Sequence, residues 1–185
     1  SALGVDSFYN QSEGTVFSDT TSYNSSTLSN VSAWGLDVDE TSATDRIWLY
    51  HTKNQAISSA SGTTTFDINR PDVAAGATLK AALAFKDNDA AYSDNGNTST
   101  TDTSVTLPTV NRLYIGKVGL PGSELNGHIS RLAYFPTRLP DATLQEISFV
   151  PTPPVLYTFL EYTTVANTSG QFTLRATNAS NNYEV

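Results

Sequence analysis

The chain has 185 residues, of which 38% are apolar and 15% charged, with a net charge of −8 and a pI near 4.5. That is enough for one well-packed domain with an appendage, and the acidic balance argues against a nucleic-acid partner. No Cys and only two His are present, which argues against a disulfide framework and a transition-metal site, and no apolar run approaches the ~18 residues of a membrane span. The chain also lacks Met, so it is expected to be processed or cut from a longer polypeptide.

In chain order, Phe8 and Tyr9 read as anchors in a short polar start, followed by a strand over residues 13–18. Residues 20–30 are almost wholly Ser, Thr and Asn and read as a surface loop. Residues 31–39 alternate, with Trp34, Leu36 and Val38 on one face, as in a strand buried on one side. Residues 46–51 form an apolar interior strand, and 58–65 a turn into a strand at 66–68. Leu79, Leu83 and Phe85 fit period two, so residues 79–86 are read as a strand although their propensity suits a helix. Tyr92 then leads into Ser93-Asp94-Asn95-Gly96-Asn97, a hairpin tip. Strands at 105–107 and 113–116 precede an Asn126-Gly127 turn, which opens a buried strand anchored by Ile129, Leu132 and Tyr134 and ended by Pro136. A short helix follows, packed through Leu144 and Ile147.

Short strands with turns every 8–12 residues and one late helix specify an all-β fold, an antiparallel two-sheet sandwich. Composition changes at Pro151-Thr152-Pro153-Pro154, a stiff linker, after which 155–165 and 171–176 read as an appended β-hairpin. The expected division is a sandwich over 1–150 and a linker with hairpin arm over 151–185. Both faces of the first tail strand are apolar. Tyr157, Phe159, Leu160, Tyr162, Phe172 and Leu174 therefore form a candidate assembly interface, with a homo-oligomer the expected result.

Candidate chemistry is sparse. Asp37-Val38-Asp39-Glu40 is the nearest approach to paired hydrolytic carboxylates, but Glu40 falls in a turn, so a polar outer face is the expected reading and no catalytic residue is assigned. His51 and His128 stand apart and read as hydrogen-bonded surface residues. Asp87-Asn88-Asp89 and Asp94-Asn95 offer hard oxygen ligands for Ca2+ without EF-hand spacing; turn chemistry is the expected reading, with no cofactor and no assigned metal. Sugar recognition needs flat aromatic faces beside planar amides and carboxylates. The loop-side candidates are Tyr23, Tyr50, Tyr92, Asp94 and Asn95; Trp34 and Trp48 sit mid-strand and are expected in the core. Tyr92, Asp94 and Asn95, read as a hairpin tip, are the expected carbohydrate contacts.

Several segments carry a resemblance: Phe8 to Phe17, Asp45-Arg46-Ile47 with Leu49-Tyr50, Lys80 to Lys86, Asn111 to Gly116, and Leu125 to Ile147. Together they resemble the concanavalin A-like, laminin G-like jelly rolls of bacteriophage tail-associated and other virion proteins, over about residues 5–149. Phe8 stands where that family usually has Trp, and Pro140 where it has a Ser N-cap. The resemblance implies a jelly-roll sandwich and a non-enzymatic module at a virion surface. Its partners would be other virion subunits and, for an adhesion role, a host surface glycan. The alternative is a purely structural capsid decoration or fibre protein engaged in subunit assembly.

Overall fold

A computed structural model describes residues 2–5, 7–24, 31–38, 44–118 and 122–151, together with the strand backbones at 175–177 and 182–184. The chain divides into two compact units, Ser1–Val150 and Pro151–Val185. In the first unit the strands are β1 (Ala2–Gly4), β2 (Glu13–Ser22), β3 (Ser32–Asp37), β4 (Arg46–Tyr50), β5 (Gln55–Ala60), β6 (Thr63–Asn69), β7 (Thr78–Lys86), β8 (Asp89–Asp94), β9 (Thr100–Asp102), β10 (Arg112–Ile115) and β11 (Gly127–Phe135). They build a six-stranded sheet in the order β1-β10-β3-β4-β5-β6 and a five-stranded sheet in the order β11-β2-β7-β8-β9, antiparallel throughout. This is the expected two-sheet jelly-roll sandwich. In the second unit β12 (Arg175–Thr177) pairs with β13 (Asn182–Glu184). The expected tail strand at 155–165 and residues 171–174, with all six candidate interface residues, lie outside the described residues.

The principal core lies between the sheets. Trp34, Leu36, Ile47, Leu49 and Phe66 face it from one sheet, and Leu79, Leu83, Phe85 and Tyr92 from the other. Trp48, Tyr50, Ile57 and Val118 form a separate buried cluster. Phe8 and Tyr9 do anchor the start: Phe8 meets Tyr134 edge to face, and Tyr9 packs against Phe85 and Tyr134. The helix α1 (Asp141–Ile147) sets Leu144 into Phe17, Ala82, Ala84 and Ala91, on the outer face of the five-stranded sheet. Small alanines on β7 and β8 let the helix approach the sheet closely. Pro140 gives the helix no side-chain cap, and the Asp141 carboxylate turns instead to Arg138 at 2.6 Å.

Several sequence expectations are corrected. β2 runs on to Ser22, so Thr20–Ser22 are strand, because Thr20 and Ser22 turn inward between the sheets. β3 is buried on both faces: Gly35 lies against Val118, leaving no room for a Cβ, and Asp37 is paired with Arg46. Residues 58–65 are mostly strand, since β5 and β6 are joined by a two-residue turn at Ser61-Gly62, both with positive φ. Residues 105–107 join no ladder; their backbone bonds to the β7–β8 turn. Finally, β11 is an edge strand paired only with β2, so it is half-exposed rather than buried. Leu132 and Tyr134 still reach the core from it.

His51 is also corrected. It is fully buried, and its Nδ1 lies 2.8 Å from the Thr20 hydroxyl, because the loop after β4 folds inward between the sheets. Burial lowers its pKa from 6.5 to about 4, with the Ala77 backbone pulling the other way. Below pH 6.5 the unfolded chain binds a proton here that the folded chain refuses until about pH 4. This residue's contribution to stability therefore falls as pH drops through that window, by about 3 kcal/mol in all. Urea denaturation at pH 7 and pH 4.5 is expected to show that loss in the wild type. The loss should be reduced in His51→Gln, which removes this buried imidazole and leaves the remainder to the other acid-titrating groups.

Candidate functional site

The register brings the connections after β2, β4, β6, β8 and β10 to one end of the sandwich. β2 ends where β7 and β11 begin, and β8 ends opposite the start of β7. The described parts of these loops are tied together by the backbone: Gly76 N–H donates to Ser22 O, Arg70 N–H to Asn54 O, and Tyr23 N–H to Asn126 O. Binding residues concentrate on loops held in this way.

At this rim Tyr23 is 54% exposed. Its ring meets His128 edge to face, with centroids 5.7 Å apart at 88°. The backbone beneath is fixed, since Asn24 Oδ1 accepts the Asn126 N–H at 2.8 Å while Asn126 O takes the Tyr23 N–H at 2.7 Å. Gly127 allows this close approach: a Cβ there would fall on the Thr21 carbonyl.

The rows of outer-face residues on the five-stranded sheet run away from Tyr23. The first is His128–Thr21–Thr78, with the two threonine hydroxyls 2.9 Å apart. The second is Arg131–Asp19–Lys80, with Lys80 Nζ 3.7 Å from Asp19. Asn95 closes the second row, its Oδ1 accepting the Lys80 N–H and its own N–H donating to Lys80 O. Beyond these rows α1 covers the sheet. An exposed aromatic, an imidazole, paired hydroxyls, an amide and an ion pair thus share one open face.

The expected contacts Tyr92, Asp94 and Asn95 are separated by the structure. Tyr92 is not at a tip: it lies mid-strand in β8 with 0% exposure, so its ring has no face to offer a sugar. Its hydroxyl donates to Asn54 Oδ1, and burial raises its pKa well above that of an ordinary tyrosine. Asp94 is buried beneath Arg70, at 2.8 Å, and accepts from Asn54 and Asn97, so it braces the rim. Asn95 alone reaches the surface. Trp34 and Trp48 are buried as expected, and Tyr50 is buried with them.

The acids read as ion ligands fall at opposite ends of β8. Asp87 accepts the Leu107 N–H, Asp89 pairs with Arg138 at 2.7 Å and Lys86 at 3.5 Å, and Asp94 pairs with Arg70. Among the described residues no three His, Cys, Asp or Glu side chains converge on a metal position. Asp37, expected on a polar outer face, is buried and lies 3.4 Å from Arg46; Asp39 and Glu40 are outside the described residues. Among the described residues no helix is long and apolar enough to cross a membrane.

No protein-family model and no curated protein matches the chain. Solved structures do. The CBM40 of the Ruminococcus gnavus IT-sialidase, bound to α2,3-sialyllactose, superposes with a TM-score of 0.59 at 13% identity over 76% of this chain and 84% of that one. The leech intramolecular trans-sialidase gives 0.59 at 14% identity over 85% of this chain, and mouse laminin α1 LG4-5 gives 0.57 at 12% identity over 76%. This chain spans 27% of the leech protein and 40% of the laminin fragment. The likeness establishes a concanavalin A-like sandwich.

Proposed function

We propose that the protein is a non-enzymatic glycan-binding module whose ligand stacks on Tyr23. The observation that carries this reading is the exposed ring itself, held by His128 and pinned through its backbone to Asn126, at the open end of the outer face. A pyranose presents a C–H face to such a ring, while Thr21, Thr78 and Asn95 stand ready for its hydroxyls. The fold is shared with a carbohydrate-binding module solved with a bound sialylated sugar, which favours the same class of ligand here. The resemblance to phage virion proteins adds a setting, adhesion to host glycans from a virion surface.

A glycan array followed by calorimetry tests the reading. The wild type is expected to bind at least one glycan, and Tyr23→Ala to weaken that binding by about 1–3 kcal/mol, the scale of one aromatic contact. Tyr23→Trp should retain it. Affinity unchanged in Tyr23→Ala would move the site off this face.

A further inference from the structure

We propose that this face selects acidic sugars, bearing a carboxylate or a sulfate, and that Arg131 is the residue that reads the charge. The inference rests on the glycan reading above and adds the ligand class.

The observation begins with a β-bulge. Ile129 pairs with Thr20, whose side chain points between the sheets, and Arg131 pairs with Asp19, which points outward. Without the extra residue Ser130, regular alternation would aim Arg131 at the core. The bulge therefore sets this cation on the outer face, in the row with Asp19 and Lys80. There the guanidinium lies over the Phe17 ring, 5.5 Å from its centroid. A cation–π contact of this kind holds the guanidinium beside the ring without using its N–H groups, which remain for a bidentate acceptor.

Charge accounting points the same way. The chain carries 18 acidic side chains against 10 basic ones. Near the rim Lys53 pairs with Asp72, Arg70 with Asp94 and Lys80 with Asp19, while Lys117 lies over the Tyr114 ring, 5.5 Å from its centroid. Arg131 is exposed and, among the described residues, has no carboxylate within 4.0 Å. The row holds two cations to one acid, so an acidic protein presents a locally cationic strip next to its exposed aromatic ring. A neutral sugar gains only hydroxyl hydrogen bonds from that arrangement; an anionic one gains a charge-assisted fork.

The test is a glycan array carrying matched neutral, sialylated and sulfated forms of the same core sugars, read with full-length protein. The best of each class is then titrated at low and at physiological salt. The acidic forms are expected to bind at least tenfold more tightly than their neutral counterparts, with the margin shrinking as salt rises. Arg131→Gln should abolish the margin, and Arg131→Lys should restore only part of it, while the melting temperature reports that both variants remain folded. Sialylated and sulfated forms responding alike would identify the charge as the feature read. Response of only one would identify that group as the ligand's. Binding without acid preference, or a preference that survives Arg131→Gln, would overturn this inference alone. Binding to no glycan of any class would remove the reading beneath it as well.

Discussion

Arg46→Ala is expected to cost about 3–5 kcal/mol, one of the two largest single effects in the molecule. Arg46 and Asp37 are each 1% exposed, with the guanidinium 3.4 Å from the carboxylate on adjacent strands of the six-stranded sheet. Arg46 also lies over the Trp48 ring, 5.4 Å from its centroid. Truncation opens a void and takes the guanidinium from beside Asp37, and a buried carboxylate stripped of that charge is costly to keep ionised or to protonate, even with the Val38 N–H donating to its Oδ1. Asp37→Asn should be destabilising for the mirror reason, because a residue expected on a polar outer face is buried against Arg46. Replacing both residues with apolar side chains of similar volume should recover most of the loss, because the pair's desolvation cost goes with it. Equilibrium denaturation of the two single variants and the double variant measures this directly. Full additivity of the single losses would contradict the account.

Leu144→Ala is the second, at about 2–5 kcal/mol. α1 has seven residues and no side-chain cap, so it is too short to persist without its contacts. Leu144 is its one fully buried side chain, seated among Phe17, Ala82, Ala84 and Ala91. The alanines around it cannot move in to fill the space, which places the cost in the upper part of that range. Ile147 is only partly buried in the same cluster, and Ile147→Ala should cost less. Denaturant midpoints for the two variants give the ranking, and a larger loss at Ile147 would mean that the helix docks differently.

Much of the fold was legible because it is written in alternation. Leu79, Leu83 and Phe85 marked β7 against its helical propensity, and Leu144 marked the helix contact. β5 was hidden because Gln55–Ala60 is rich in Ala and Ser; its identity comes from the Ser61-Gly62 turn and from ladders to both neighbours. β11 carries an apolar pattern, but position at a sheet edge depends on which strands lie alongside, which the pattern does not encode. Tyr92 was misread because its Ser-Asp-Asn-Gly sequel signals a turn. Its register opposite Leu83 makes it core, and only Asn95 of that group belongs to the exposed face. Tyr23 could be picked out as a loop-side aromatic. Its partner His128 and the outward aim of Arg131 arise from the β2–β11 pairing and its bulge, between segments far apart in sequence.

The central claim is that the ligand sits on the outer face of the five-stranded sheet at Tyr23. Titration of the best-binding array glycan into 15N-labelled protein, followed by amide shifts, tests it most directly. Shifts confined to residues 19–24, 78–80, 95–96 and 126–131 are the predicted result. Shifts centred instead on the six-stranded sheet, or on the opposite end around the β7–β8 turn, would contradict it.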